Sequence, residues 1–287
     1  MADSDVLQAL PALMVEPIVR AALLEDLGRA GDITTAAVIP RETRMTGVIA
    51  SRRDGVIAGA DAAMMAFALM DSAVIVTLEK PDGSRVAPGD VVMRLAGPAH
   101  AILSAERVAL NLLGHLSGVA TATAALVDAV RPHRARIVCT RKTTPGLRAL
   151  EKHAVRAGGG ANHRFGLDDA VLIKDNHIAV AGGVRPAIAR ARGAVGHLVS
   201  IEVEVDTLAQ LDEALQAGVD AVLLDNMNPQ QLQEAVRRVN GRAITEASGN
   251  ISLATVNAVA ASGVDLISSG WITHSAPVLD LGLDTSI

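Results

Sequence analysis

Charged and small polar residues follow the short β-rich runs in the second half of this 287-residue chain. They include acids, bases and serine–glycine pairs, and they are Arg141, Lys142, Lys174, Glu204, Asp225, Ser248, Gly249, Asn250, Ser269 and Gly270. A single residue of this kind usually belongs to a solvated turn. Their recurrence after successive runs predicts one shared site instead, because the carboxyl ends of parallel strands meet at one edge of a sheet.

Two carboxylates among these residues are candidate metal ligands. The predicted strand 198–205 alternates, so that its apolar residues share one face while Glu202 and Glu204 share the other. Glu204 lies nearer the strand end and Asp225 ends the next strand, and Mg²⁺ is usually held by one or two carboxylates beside substrate phosphates. We expect these two residues to bind the metal, although two solvated acids are the simpler alternative. Glu202 is expected to be structural and held by basic neighbours, because an uncompensated buried charge is costly.

The last two predicted strand ends carry small residues suited to phosphate. They are the segments Ser248-Gly249-Asn250 and Ser269-Gly270. Glycine lets the backbone approach a ligand closely, and a helix that starts nearby offers free N–H groups. The loops after the last strands of an α/β barrel are also a frequent phosphate site. The two segments therefore predict a phosphate site beside the carboxylates.

The basic residues are equally concentrated. They are Arg141, Lys142, His163, Arg164 and Lys174. A glycine-rich turn at 158–160 can fold His163 and Arg164 over the same rim. Guanidinium groups suit planar carboxylates, so the basic side predicts binding of a small polyanion. His163 alone is a weak signal, because a lone histidine is more often a hydrogen-bonded structural residue.

The elements that position these residues alternate after Pro132. The β-rich runs are 137–140, 170–173, 198–205, 221–224, 243–247 and 266–268, and the helical runs are 146–157, 184–192, 207–217, 229–239 and 254–262. This alternation predicts parallel strands with crossover helices, arranged as a complete or an incomplete α/β barrel. A doubly wound open sheet is the alternative, but no glycine-rich dinucleotide fingerprint follows the first strand.

The first third of the chain is mixed. We expect a helix over 61–70 with Asp61 as its cap, short strands on either side of it, and a long helical stretch over about 101–130. Gly114 and Gly118 are expected to interrupt that stretch, and Pro132 to close it.

Composition excludes several classes of function. The net charge of −5 argues against a bulk nucleic-acid binder, and two Phe, one Trp and no Tyr leave few rings for base stacking. A single Cys fits a reducing compartment, and residues 1–10 do not look like a signal peptide. The longest apolar run, 62–70, is too short to cross a bilayer. We therefore expect a cytoplasmic protein that binds neither nucleic acid nor membrane.

Blocks along almost the whole chain resemble the quinolinate phosphoribosyltransferase family. The blocks are Glu25–Gly28, Gly31–Thr34, Glu106–Asn111, Thr140–Arg148, Gly158–Arg164, Leu172–Ile178, Glu202–Val205, Leu223–Met227 and Glu246–Ile251. Their length makes the resemblance specific. Asn250 stands where many family members carry a second glycine, a variation that the site is expected to tolerate.

The resemblance implies a two-domain subunit. A mixed α/β sandwich would take residues 1–110 and be completed by about 276–287, and an open α/β barrel would take residues 111–275. Members of the family are homodimers whose active sites borrow residues from the partner. By that analogy Arg107 reaches the neighbouring active site, which the sequence spacing alone does not indicate.

The resemblance also implies the roles of the site residues. Arg141, Lys142, His163, Arg164 and Lys174 would surround quinolinate. Glu204 and Asp225 would hold Mg²⁺ and the ribose hydroxyls. Ser248, Gly249, Asn250, Ser269 and Gly270 would contact phosphate. Lys142, Lys174, Glu204 and Asp225 would be the catalytic residues.

The implied reaction joins quinolinate to phosphoribosyl pyrophosphate in NAD biosynthesis. It releases CO₂ and pyrophosphate and gives nicotinate mononucleotide. Three alternatives remain from sequence: a paralogue associated with molybdate uptake, a barrel lyase using Lys174 as a Schiff base, and a nucleotide-binding protein without catalysis. The complete Arg141-Lys142 and His163-Arg164 pairs argue against the first, and the phosphate loops argue against the second.

Overall fold

The computed structural model describes residues 7–286. Most of the segment 1–10, which was expected not to be a signal peptide, and the two ends of the predicted first domain therefore lie outside the described residues. The chain forms two compact units. The first contains the chain up to Ala124, Thr143–Gly159, and the segment from Ile272 onward. The second contains Ala125–Lys142 and Gly160–Trp271. Each unit is therefore built from separate stretches of sequence, and the predicted boundary at residue 110 falls within a helix.

The first unit is a mixed α/β structure. Its elements are α1 (Ala12–Leu27), α2 (Ile33–Val38), β1 (Arg44–Ser51), β2 (Gly55–Val56), α3 (Ala60–Met70), β3 (Ile75–Leu78), β4 (Arg85–Val86), β5 (Val91–Pro98), most of α4 (Ala99–Val130), α5 (Arg148–Ala157), most of α11 (Trp271–His274) and β12 (Leu281–Ser286). Four strands form one sheet in the order β12-β1-β5-β3, and its ladders are antiparallel. The short strands β2 and β4 pair separately.

The cap of α3 differs from the prediction. Asp61 lies inside the first turn, and the N-cap is Gly59 in a left-handed conformation with φ of 90°. The carboxylate of Asp82 accepts the backbone N–H groups of Gly59 and Ala60 at 2.9 and 3.0 Å. The orphan donors of this helix are therefore satisfied by a residue distant in sequence, as helix starts require.

The expected interruption of α4 is wrong, because the helix runs unbroken for 32 residues. A Cβ atom at Gly118 would lie 2.2 Å from the carbonyl oxygen of Pro277, and one at Gly114 would lie 3.0 Å from that of Leu279. The two glycines therefore allow a close backbone approach within the first unit rather than a break. This helix is long and apolar enough to span a membrane, but 72% of its most apolar window is buried, as in the core helix of a soluble protein.

The second unit is built on a parallel sheet of six strands. Its elements are β6 (Arg136–Val138), β7 (Val171–Ile173), α6 (Asp175–Ala181), α7 (Val184–Ala194), β8 (Ile201–Val205), α8 (Leu208–Ala217), β9 (Ala221–Asp225), α9 (Pro229–Val239), β10 (Ile244–Ser248), α10 (Val256–Ala260) and β11 (Leu266–Ser268). The helix α6 was absent from the predicted elements.

The strand order confirms the open α/β barrel. It runs β6-β11-β10-β9-β8-β7, so consecutive strands are neighbours and the first strand pairs with the last. In the described chain the ring is left open between β6 and β7. A doubly wound sheet would instead reverse direction at a switch point near its middle, so that alternative is wrong.

Candidate active site

A cavity of about 430 Å³ opens at the carboxyl end of the second unit's sheet. Its lining is Thr140, Arg141, Lys142, His163, Arg164, Leu172, Lys174, Glu204, Leu223, Asp225, Glu246, Ser248 and Ser268. Eight residues predicted from the sequence therefore lie around one cavity. The remaining predicted residues are Gly249, Asn250, Ser269 and Gly270 beside it, and Arg107 in the first unit.

The basic side is assembled along the free edge of β6. Ala161 forms a parallel bridge to Val138, with backbone bonds of 2.8 Å to Ile137 and 3.2 Å to Cys139. This short pairing carries the chain that follows it towards the end of β6, where Arg141 lies. The glycine-rich turn before it is the sequence signal that predicted this arrangement.

Arg141 and Arg164 are brought together at this edge. Burial lowers the pKa of Arg164, and the positive charge of Arg141 lowers it further. One guanidinium nitrogen of Arg164 donates to the carbonyl oxygen of Ala170 at 2.9 Å, which fixes its direction. An arginine remains charged in spite of such a shift, so the pair presents two positive charges to the cavity. The arrangement favours a doubly charged anion.

His163 is held in one tautomer. Its Nδ1 accepts the backbone N–H of Arg164 at 2.7 Å, so the ring hydrogen lies on Nε2. Nε2 then donates to a carboxylate oxygen of Glu202 at 2.9 Å. The structure thus places His163 at the cavity, but with its donor engaged by a carboxylate. Glu202 is held by this basic neighbour, as expected for a structural residue.

The acidic side lies on β8 and β9. The strand β8 has the predicted alternation: Ile201, Val203 and Val205 are buried at 2%, 0% and 0% exposure, while Glu204 faces the cavity. Lys174, directly after β7, places its ammonium nitrogen 2.7 Å from Glu204 Oε2.

Asp225 ends β9 and is oriented by the turn after it. The amide nitrogen of Asn226 donates to its Oδ2 at 2.6 Å. A Cβ atom at Gly249 would lie 2.1 Å from the Asn226 Oδ1, and Gly249 has a φ of 97°. Only glycine fits there, so in this structure Gly249 supports the turn that orients Asp225. Asn250 follows in a left-handed conformation with φ of 51°.

Ser248 and Ser269 occupy different environments. Ser248 lines the cavity at the end of β10, whereas Ser269 is buried at 3% exposure and its N–H donates to the carbonyl oxygen of Val138 at 3.1 Å. The preceding residue, Ser268, lines the cavity although the prediction omitted it.

Comparisons with known proteins identify the family of this chain. The family model for the C-terminal domain of quinolinate phosphoribosyl transferase matches residues 119–284, and the model for the N-terminal domain matches residues 32–117. The chain belongs to the quinolinate phosphoribosyltransferase family. The sequence resemblance is confirmed by matches that together cover most of the chain.

Individual relatives match this chain over nearly its full length. A nicotinate-nucleotide pyrophosphorylase (carboxylating) of Mycobacterium leprae is 47% identical, covering 93% of this chain and 95% of that one. A probable nicotinate-nucleotide pyrophosphorylase (carboxylating) of Bacillus subtilis is 43% identical, covering 96% and 94%. The solved nicotinate-nucleotide pyrophosphorylase of Francisella tularensis is 37% identical with a TM-score of 0.94, covering 99% and 100%.

Glu246 is a charged cavity residue that the sequence analysis did not predict as a site residue. Glu246 lies on β10 at 1% exposure, and its Oε1 has no hydrogen-bond partner among the described residues. Burial raises its pKa to about 7, the charge of Glu202 adds to the rise, and His163 and Ser268 oppose it. The alternation with Ser248, two residues later on the same strand face, is the signal that predicts its direction.

Arg107 lies on α4 in the first unit, and it is exposed. Within one chain nothing beyond this exposure distinguishes it from other surface arginines. Its proposed role depends on a second subunit.

Proposed function

We propose that this chain transfers the phosphoribosyl group of phosphoribosyl pyrophosphate to the ring nitrogen of quinolinate. The products are nicotinate mononucleotide, CO₂ and pyrophosphate, as a step of NAD biosynthesis. The observation that carries the proposal is a cavity with Arg141 and Arg164 on one side and Glu204 and Asp225 on the other. One side suits a dicarboxylate, and the other suits a metal with a phosphorylated sugar.

The basic side would bind quinolinate. Arg141 and Arg164 offer planar donor pairs to carboxylates, and two such residues match the two carboxylates of the substrate. Lys142 and Lys174 add point charges at the same rim. His163, which donates to Glu202, would position Arg164 through the hydrogen bond between its Nδ1 and the Arg164 N–H.

The acidic side would hold Mg²⁺. Glu204 and Asp225 are hard oxygen donors on adjacent strands at the cavity, which is the ligand type that Mg²⁺ takes, and their remaining capacity suits ribose hydroxyls. The ion would neutralise charge on the departing pyrophosphate. Ser248, with Gly249, Asn250, Ser269 and Gly270 near it, would contact phosphate.

The chemistry needs no nucleophilic side chain. The ring nitrogen of quinolinate attacks the anomeric carbon while the bond to pyrophosphate breaks. The resulting pyridinium stabilises the electron pair of the C–CO₂ bond as CO₂ leaves, and the ring carbon then takes a proton from water. Residues fixed before the reaction stabilise charge without reorganising, which is electrostatic preorganisation. Arg141 and Arg164 would hold the ring in line for attack.

The quaternary arrangement is part of the proposal. We propose a homodimer with an active site shared across the interface, to which the partner subunit would contribute its copy of Arg107. Its exposure on α4 is compatible with that role. A cytoplasmic location is proposed as well, and the single free cysteine supports it.

The test is direct. The chain is incubated with quinolinate, phosphoribosyl pyrophosphate and Mg²⁺, and the products are followed by mass analysis and CO₂ release. Nicotinate mononucleotide and stoichiometric CO₂ are expected. Binding of nucleotide without CO₂ would favour a binding protein, and a borohydride-trapped adduct on Lys174 would favour a lyase. The variant Arg141→Ala should lose most of this activity, and Arg237→Ala, which changes an exposed arginine on α9, is its matched control and should keep it.

A further inference from the structure

Three titratable side chains, of which His163 and Glu246 line the cavity, have fewer hydrogens to donate than oxygen atoms to accept them. Ligand atoms of His163, Glu202 and Glu246 all lie within 4.8 Å of one another. The ring of His163 carries its one hydrogen on Nε2, because Nδ1 accepts the N–H of Arg164. That hydrogen is directed at Glu202 at 2.9 Å, while Glu246 Oε2 is 3.7 Å from the same nitrogen. Glu246 therefore lies beside a second carboxylate, and Ser268 is the side-chain donor that it has.

A bound metal does not resolve this shortage. A metal on His163 Nε2 would require the ring hydrogen on Nδ1. There it would point at the N–H of Arg164, 2.7 Å away. The tautomer that the backbone selects therefore favours a proton over a metal ion in the cluster.

The surroundings of Glu246 favour its neutral form. Its side chain is 2% exposed, and its Oε1 has no hydrogen-bond partner among the described residues. It is surrounded by Leu223 on the adjacent strand β9, Ser268 on the adjacent strand β11 and Glu202 on β8, two strands away. The other charged groups at the cavity are Arg141, Lys142, Arg164, Lys174, Glu204 and Asp225. Burial and the charge of Glu202 together raise the pKa of Glu246 to about 7.

We propose that Glu246 is a neutral hydrogen-bond donor to a carboxylate of quinolinate, so that quinolinate binds with uptake of a proton. This rests on the proposed function. An ionised Glu246 would repel the dianion, whereas the protonated acid carries a hydroxyl that can donate at the cavity that Glu246 lines. A carboxylic acid kept neutral by its site can donate in this way. The proton comes from solvent and returns to it when the product leaves, and no covalent bond changes at Glu246.

The kinetic test compares pH profiles. Above pH 7 the KM for quinolinate of the wild type should rise towards tenfold per pH unit, because binding requires one proton, while the KM for phosphoribosyl pyrophosphate changes less. Glu246→Gln should remove this dependence, since its amide donates without titrating. Glu246→Leu has no donor at this position, so its KM for quinolinate should exceed that of Glu246→Gln at every pH. Glu213→Gln, at an exposed position on α8, is the control and should keep the wild-type profile.

Calorimetry tests the proposal without any variant. Quinolinate is titrated into the wild type at pH 7.5 in two buffers with different ionisation enthalpies. Different observed binding enthalpies, equivalent to net uptake of part of a proton, are expected. Equal enthalpies, or a Glu246→Gln profile that still follows the wild type, would overturn the proposal. Absence of turnover in the wild type would instead reject the proposed function.

Discussion

The ammonium nitrogen of Lys174 lies 2.7 Å from a carboxylate oxygen of Glu204, at the ends of the paired strands β7 and β8. This ion pair joins the basic and acidic sides of one cavity. One partner is proposed to bind the dicarboxylate and the other the metal, so each balances the other's charge before the ligands arrive. A change at Lys174 should therefore affect the binding of quinolinate, and a change at Glu204 should affect the binding of phosphoribosyl pyrophosphate.

Removing the cation should weaken quinolinate binding. Lys174→Met deletes one charged contact, and such a contact contributes about 1.5–3 kcal/mol, which is roughly 10- to 150-fold in KM. Steady-state kinetics measures this, with Lys80→Met, whose lysine pairs with Asp90 elsewhere, as the control. An unchanged KM for quinolinate would exclude Lys174 from the anion site.

Removing a proposed metal ligand should weaken the binding of phosphoribosyl pyrophosphate rather than that of quinolinate. Glu204→Ala and Asp225→Ala should lower turnover about a hundredfold or more, as for other lost electrostatic groups, and should weaken phosphoribosyl pyrophosphate binding. Quinolinate binding, measured by calorimetry, should survive. Full activity of both variants, or full activity of the wild type in excess chelator, would contradict the magnesium site.

The enzyme should discriminate by carboxylate count. Nicotinate lacks the 2-carboxylate, so at least one guanidinium of Arg141 or Arg164 would lose its partner. The loss of one charged hydrogen bond is worth about 1.5–3 kcal/mol, and basic groups left unpaired add to it. Parallel assays should give a much lower kcat/KM for nicotinate than for quinolinate. Comparable values would contradict the binding of two carboxylates by Arg141 and Arg164.

The shared site predicts complementation between two inactive variants. Arg107→Ala and Lys174→Ala dimers should each be nearly inactive. After co-refolding, half the dimers are mixed and each has one complete site of two, so activity should recover to about a quarter of wild type. Proven heterodimers without recovery would mean that Arg107 does not serve the neighbouring site.

Glu246 should make stability depend on pH. Its pKa is raised to about 7 by burial and by Glu202, so the folded chain holds an extra proton between pH 4.5 and 7. The stabilising contribution is full below pH 4.5 and is lost as the pH rises through 7, on the order of 3 kcal/mol. The free energy of unfolding of Glu246→Gln relative to wild type should rise by that amount between pH 4.5 and 8 in urea titrations. A constant difference would mean that Glu246 is ionised throughout.

The sequence predicted what depends on local periodicity. Alternation along β8 placed Glu204 at the cavity and its apolar neighbours in the core, and strand ends located Lys174 and Asp225. These signals suffice because a strand has a period of two and a barrel collects its strand ends at one rim.

Long-range partners were not predictable in the same way. The carboxylate that accepts the first N–H groups of α3 belongs to Asp82, a residue beyond the helix, and nothing near Asp61 indicates it. Gly118 looked like a break because its partner, Pro277, is far away in sequence. The role of Glu246 could not be predicted from the sequence, because it depends on the contact in which His163 donates its ring hydrogen to Glu202.

The two larger sheets are completed by late segments of the chain, and this constrains the order of folding. β6 needs β11, whose last residue follows it by about 130 positions, and β1 needs β12 from the region 281–286. A ribosome therefore releases Arg141 and Lys142 long before the neighbouring strand exists. Contacts of such large sequence separation slow folding. During synthesis each unit has an unpaired strand edge until its last strand is made. Such an edge promotes aggregation, so the nascent chain is expected to bind chaperones.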